Sequence, residues 1–188
     1  QNEMRGENNE PDASRYGLAL AQMSQRQFNE ADTTLKPLRE KHPDNLYFDL
    51  AQAGILQGQQ KYDQALKLVQ TVQTNNPHSF PATMLAANIL ENMKQYAPAI
   101  KQLESLLGRY GTHPAVWYDL AELRGLVGDT GGVHMARAEY FMLNGVFDKA
   151  RQQLTYALQF YKNDKLESAR VRERLRELAA IENQALEI

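Results

Sequence analysis

Apolar side chains recur along this chain at helical spacing, and the pattern itself repeats. The repeat is clearest in a series of alanines that are each 34 residues apart: Ala19, Ala53, Ala87 and Ala121. Positions that recur at a fixed period of 20–50 residues are typical of repeat architectures. The pattern therefore predicts a chain of similar structural units rather than one compact domain.

A second series pairs an aromatic residue with an alanine three positions later. Its members are Phe28 and Ala31, Tyr62 and Ala65, Tyr96 and Ala99, and Phe147 and Ala150. The alanines are 34, 34 and 51 residues apart, and 51 is one and a half repeats. The last spacing therefore predicts a half-repeat insertion near 114–130.

The repeat predicts a hairpin of two helices. A small alanine at the crossing point lets the second helix approach closely, and the aromatic residue fills the space beside the turn. Pro43 and Pro77, again 34 residues apart, fall just after the second helix and stop it. A 34-residue unit with these features resembles the tetratricopeptide repeat, which implies an all-α, right-handed α-solenoid.

The period places about ten helices and divides the chain. Residues 1–11 are expected to be a disordered or residual segment, and residues 165–188 a C-terminal capping helix. The array between them, 12–164, divides into 12–45, 46–79, 80–113, the half-repeat 114–130, and 131–164. The predicted helices are 12–25, 28–41, 46–59, 62–75, 80–93, 96–109, 114–127, 131–144, 147–161 and 165–186.

Composition agrees with a helical, water-exposed chain. Its 188 residues include 22 Ala and 24 Leu but only 7 Val and 5 Ile, which favours helix over sheet. A net charge of −2 argues against nucleic-acid binding, which needs a basic surplus. The absence of cysteine excludes disulfides and thiol chemistry. Since the first residue is Gln rather than Met, we expect an excised or processed piece of a larger protein.

No pattern in the chain predicts catalysis or a cofactor. There is no HExxH, no glycine-rich phosphate loop and no nucleophile elbow. The histidines lie at repeat junctions or at a helix start, and none has the i, i+4 partner of a helical zinc site. We therefore expect no catalytic residue, no cofactor and no metal ligand in this chain.

The expected functional surface is the concave face of the array, lined by outward positions of each first helix. Counted from the alanine series, these are Tyr16, Leu20, Met23, Tyr47, Leu50, Met84, Asn88, Glu91, Asn92, Tyr118, Glu122, Met135, Glu139 and Met142.

This set has the character of a protein-binding surface. It holds four of the six methionines and three tyrosines, side chains that suit adaptable apolar contacts. It contains no Lys or Arg, which counts against a clamp for C-terminal carboxylates. The alternative is that several of these side chains pack between neighbouring repeats.

The last predicted helix has features of a cap. Asp164-Lys-Leu-Glu167 fits a capping box, and the following residues form one apolar stripe on an otherwise charged helix. The arginines Arg170, Arg172, Arg174 and Arg176 alternate with glutamates. They form either a solvated face or a docking surface for an acidic partner or an upstream domain.

The most specific stretch lies at 114–160. The segments Pro114-Ala-Val-Trp-Tyr-Asp-Leu-Ala-Glu-Leu123 and His134–Ala150, together with the half-repeat, resemble the C-terminal region of the BepA (YfgC) family. The resemblance implies a parent with an N-terminal HExxH zinc metallopeptidase domain, so zinc is expected there and not in this chain. It also implies the periplasm of a Gram-negative bacterium.

The resemblance further implies the partners. They are the outer-membrane β-barrel assembly machinery, such as BamA, stalled substrates such as LptD, and the chain's own N-terminal protease domain. The function expected is a non-catalytic, protein-binding module that docks on this machinery and presents substrates. The alternative is a stand-alone tetratricopeptide adaptor with no protease domain.

Overall fold

The computed structural model describes residues 10–186, which form eleven α-helices and no strand. Residues 1–9 of the predicted N-terminal segment and residues 187–188 lie outside this range. The helices are α1 (Glu10–Ser24), α2 (Phe28–Lys41), α3 (Leu46–Gly58), α4 (Tyr62–Asn75), α5 (Phe80–Asn92), α6 (Tyr96–Glu104), α7 (Leu107–Tyr110), α8 (Pro114–Leu126), α9 (Thr130–Leu143), α10 (Phe147–Phe160) and α11 (Lys165–Leu186).

The all-helical fold class is confirmed, and nine of the predicted helices end within two residues of the observed ends. The exception is 96–109, which is broken into α6 and α7 at Ser105 and Leu106. The Ser105 hydroxyl donates to the carbonyl of Gln102 at 2.6 Å. Such a side-chain bond competes with the helical backbone pattern, and it accounts for the extra helix. The repeat boundaries drawn from the period stay a prediction.

The chain divides into an N-terminal unit that ends at Lys94 and a C-terminal unit that begins at Gln95. In the N-terminal unit α1 packs on α2, α2 on α3, α3 on α4 and α4 on α5. Ala19, Ala31, Ala53 and Ala65 are fully buried between the paired helices. One apolar cluster joins α1, α2 and α3, and a second joins α3, α4 and α5.

The hairpin turns share a backbone conformation that follows the period. Arg26, Gln60 and Lys94 have φ of 61°, 63° and 59°, the left-handed region that a side chain disfavours. The next two members of this series are glycines, Gly128 at φ 77° and Gly145 at φ 71°. Since 128 follows 94 by 34 residues and 145 follows 128 by 17, the turns record the inserted half-repeat.

In the C-terminal unit, α9 packs on both α8 and α10. It therefore acts as the second helix of one hairpin and the first helix of the next, as the half-repeat predicts. Ala138 and Ala150 are fully buried where α9 meets α10. Asp129 caps the start of α9, since its Oδ1 accepts from the backbone N–H of Gly132 at 2.9 Å.

The C-terminal helix α11 packs on α10 and closes this unit. The Oδ1 of Asp164 accepts from the N–H groups of Leu166 and Glu167, both at 3.0 Å, so the predicted cap forms. Val171 and Leu178 are fully buried in a cluster shared with α9 and α10.

One arginine of the alternating series joins α11 to α9. Nε of Arg174 donates to Oε1 of Glu139 at 2.6 Å, and Nη2 donates to Oε2 at 2.5 Å. Burial opposes the charge of Arg174, but its bonds to Glu139 and Glu177 outweigh burial and raise its pKa. The other arginine pairs within α11, Arg170 with Glu167 and Arg176 with Glu173, lie one turn apart on its surface.

We expect Gln60→Gly to stabilise the protein by about 1 kcal/mol, because glycine removes the left-handed strain at this turn. Gly128→Ala is the matched opposite, since it introduces the same strain, and should destabilise by about 1 kcal/mol. Urea unfolding followed by circular dichroism measures both. An unchanged midpoint for both variants would contradict the strain argument.

We expect Arg174→Ala to destabilise by about 1–3 kcal/mol, because it leaves the half-buried Glu139 carboxylate without its partner. Arg176→Ala, which removes only a surface pair, should change stability by less than about 0.5 kcal/mol. A double-mutant cycle with Glu139→Gln isolates the pair. A coupling energy near zero would show that α11 is held by apolar contacts alone.

Candidate functional site

The first helices of the N-terminal unit, α1, α3 and α5, lie side by side. A close approach makes this possible at two glycines on α3. A Cβ at Gly54 would come within 2.8 Å of Cε of Met23, and a Cβ at Gly58 would overlap the Phe28 ring. The small residues of α3 therefore seat both α1 and the first turn of α2.

Two of the predicted binding residues on this side are exposed apolar side chains. Leu20 is 41% exposed, and Tyr47 is 62% exposed. Tyr47 is held by its backbone: its carbonyl accepts from the Tyr16 hydroxyl at 3.4 Å, and its N–H donates to Asn45 at 3.0 Å. We call Tyr16, Leu20 and Tyr47 the tyrosine patch.

Tyr16 forms the base of the tyrosine patch. It is partly buried in the cluster of α1, α2 and α3, and its ring lies 5.2 Å from that of Phe48. Burial, with a smaller contribution from Tyr47, raises the pKa of the Tyr16 phenol. The phenol is therefore neutral at physiological pH and serves as a hydrogen-bond donor.

The remaining predicted residues of this unit divide between packing and exposure. Met23 packs in the cluster of α1, α2 and α3, and Leu50 packs against that of α3, α4 and α5. Met84 and Glu91 are half-buried, whereas Asn88 and Asn92 are exposed. The alternative that some members of the set pack between repeats holds for Met23 and Leu50.

The two asparagines open onto a cleft of about 580 Å³ at the turn end of the first helices. We call it the turn cleft. Its lining comprises Arg26, Phe28, Gly54, Gln57, Gly58, Gln60, Tyr62, Asn88 and Asn92.

Carboxamides form a hydrogen-bonded group along the turn cleft. The Gln57 amide donates to Oδ1 of Asn88. The Asn92 amide donates to the Asn88 backbone carbonyl at 2.8 Å. This group spans α3 and α5 and fixes the side chains that face the cleft.

Sequence reasoning missed Arg26, Gln57 and Gln60 as residues of this surface. Positions counted from the alanine series are confined to the helices, whereas Arg26 and Gln60 lie in the hairpin turns. Their 34-residue spacing was the available signal. Arg26 also corrects the expectation that the surface carries no cation.

The predicted residues of the C-terminal unit fall into two groups. Tyr118 and Glu122 of α8 are exposed, and Tyr118, 53% exposed, has its ring 5.8 Å from that of Tyr140. The three residues of α9 are engaged within the fold. Met135 packs against the apolar cluster, and Met142 is 8% exposed within it.

Glu139 is the third of these residues of α9, and its carboxylate is occupied by Arg174. Met142 and Glu139 therefore do not present free side chains on a surface, because α10 and α11 cover that part of α9. The predicted set thus leaves Tyr118 and Glu122 as its accessible members in this unit.

Within residues 10–186, no group of three or more His, Asp and Glu side chains could hold a metal ion. Two histidines have clear structural contacts. Nε2 of His42 lies 3.1 Å from Asp12, and Nδ1 of His134 lies 2.8 Å from Gln153. Over the same residues, no helix is both long and apolar enough to cross a membrane.

Two family models, both described as tetratricopeptide repeat, match the chain over residues 16–80 and 56–123. This chain is therefore built of tetratricopeptide repeats, a class of protein-interaction module. No curated protein matches its sequence significantly.

Solved structures agree with this class. MamA (residues 41 to the end) from Desulfovibrio magneticus RS-1 has a TM-score of 0.62 at 18% identity, covering 89% of this chain and 94% of that one. A tetratricopeptide repeat protein from Parabacteroides merdae ATCC 43184 has a TM-score of 0.55 at 13% identity, covering 93% and 75%. At such identities the likeness shows the fold alone.

A chain of the Naa15/Naa10 structure bound to HypK-THB is a third example. It has a TM-score of 0.59 at 16% identity and covers 93% of this chain but 35% of its own length. The same fold thus occurs as a whole chain and as part of a longer one.

Proposed function

We propose that this chain binds proteins through the outward sides of its first helices. The observation that carries this is the exposure of Tyr47 and Tyr118, at 62% and 53%, on first helices of the two units. A tyrosine gives a partner a large apolar body with a polar tip and little rotamer entropy to lose. Tyrosine is also enriched among the residues that dominate interface energies.

The tyrosine patch is ordered before any partner arrives. The Tyr16 hydroxyl donates to the Tyr47 backbone, and Asn45 caps the first turn of α3. A partner that covers Tyr47 therefore meets a fixed backbone and orders only the Tyr47 side chain. Such preorganisation raises affinity because less entropy is lost on binding.

The proposal extends to the parent protein and its setting. We place the chain in a BepA-like periplasmic protease, with zinc held by an upstream HExxH domain, BamA and LptD as partners, and barrel assembly as the process. What supports this is the resemblance at 114–160 and the half-repeat that α9 completes between α8 and α10. In such a protein this chain recognises and presents substrates, and the upstream domain cuts them.

The gene upstream of Gln1 tests the parent. We expect an in-frame HExxH, and one zinc ion per protein when the full-length product is analysed by atomic emission. A reading frame without HExxH would contradict the protease parent and leave the stand-alone adaptor. Either result leaves the protein-binding function of this chain to be tested separately.

Photocrosslinking tests the binding surface. We expect a photoreactive amino acid at Tyr47, Asn88 or Tyr118 of the full-length protein to capture partner proteins in cells. The matched controls are Lys67 and Lys101, which are exposed on second helices. Equal capture from both groups would contradict the proposal that the first helices form the binding surface.

A further inference from the structure

We propose that the turn cleft of the N-terminal unit receives an extended peptide segment and takes one of its acidic side chains against Arg26. This inference rests on the proposed protein-binding function. It adds the chemistry of the partner at one site. The occupant is a segment with an Asp or Glu, bound along the carboxamides of α3 and α5.

The charge of the lining selects an acidic occupant. Arg26 is the cationic member of the lining, and no carboxylate lines the turn cleft. Within the described residues, the guanidinium of Arg26 takes part in no hydrogen bond or ion pair. A planar guanidinium presents paired donors that match the two oxygens of a carboxylate.

The surroundings of Arg26 strengthen this preference. On its other side Arg26 borders a second cleft of about 430 Å³, whose lining includes Lys61 and Glu30. Two cations and one carboxylate leave a net positive charge around the turn. The rest of the turn-cleft lining is neutral, so an acidic side chain gains attraction here that a basic one does not.

The carboxamides provide the complement for a peptide backbone. Oδ1 of Asn88 accepts from Gln57, which leaves Nδ2 of Asn88 as a donor without a partner in residues 10–186. Oε1 of Gln57 and Oδ1 of Asn92 likewise remain as acceptors there. A carboxamide offers both donor and acceptor groups, as a peptide bond does. The arrangement suits an extended chain whose backbone groups are unpaired.

The size of the site and its backbone conformation agree with binding. A volume of about 580 Å³ lies within the roughly 300–1,000 Å³ of clefts that hold ligands. Arg26 and Gln60 also hold left-handed φ angles. Such strain concentrates at binding sites, where the side chain serves a purpose that glycine cannot. Here the turn geometry aims both long polar side chains at the cleft.

A displayed library of random 12-residue peptides, selected on the 188-residue chain, tests this inference. We expect the bound peptides to be enriched in Asp and Glu over the unselected library. Selection on Arg26→Glu should lose this enrichment. Lys67→Glu makes the same charge change on the exposed side of α4 and should keep it. Circular dichroism establishes that both variants are folded.

One selected peptide and its Glu→Gln counterpart then give the affinity by fluorescence anisotropy. We expect Arg26→Glu to weaken the acidic peptide about fivefold or more, and the Gln counterpart much less. The difference should shrink as salt is raised.

The outcomes separate this inference from the proposed function. Peptides that bind with sensitivity to Tyr47→Ala but not to Arg26→Glu, and without acidic enrichment, would overturn the inference and keep the function. A library that yields no binding peptide would overturn both.

Discussion

Two helices approach closely only where small side chains meet, and this chain places alanine at that point in hairpin after hairpin. Ala19 and Ala31 are fully buried between α1 and α2, as are Ala53 and Ala65 between α3 and α4. A larger residue would push the helices apart and open the apolar clusters beyond, because packed interiors lack room for added methylenes. Since each cluster is shared by three helices, this spacing also sets where the next first helix lies and therefore which side chains reach the binding surface.

The half-repeat gives α9 neighbours on two sides. A helix in an ordinary hairpin buries one stripe, but α9 packs on α8 and α10 and is bonded to α11. This explains its composition: Gly131 and Gly132 are buried, and a Cβ at Gly132 would come within 2.8 Å of the Arg124 side chain. The consequence for function is that α9 offers less free surface than the first helices of the N-terminal unit. Binding in the C-terminal unit therefore falls to α8.

The sequence predicted positions that one helix pair determines, and it failed where a third element decides. The alanine and aromatic periods located nine helices to within two residues, because hairpin packing is local. The break at Ser105 depends on one side-chain bond that periodicity does not register. In the site, the exposure of Tyr47 and Tyr118 followed from helical position. The loss of Glu139 and Met142 required knowing that α11 covers α9, and Arg26 required knowing that the turn faces the same cleft as Asn88.

The turns connect stability with recognition. A left-handed residue with a side chain costs about 1–2 kcal/mol relative to the right-handed region, and glycine avoids that cost. The C-terminal unit uses Gly128 and Gly145, whereas the N-terminal unit accepts the strain at Arg26 and Gln60. The strained turns are the ones beside a cleft lined by carboxamides, where a long polar side chain can reach a bound segment. Stability is thus given up where the side chain can contact a partner, and this locates recognition in the N-terminal unit at the turn end of its helices.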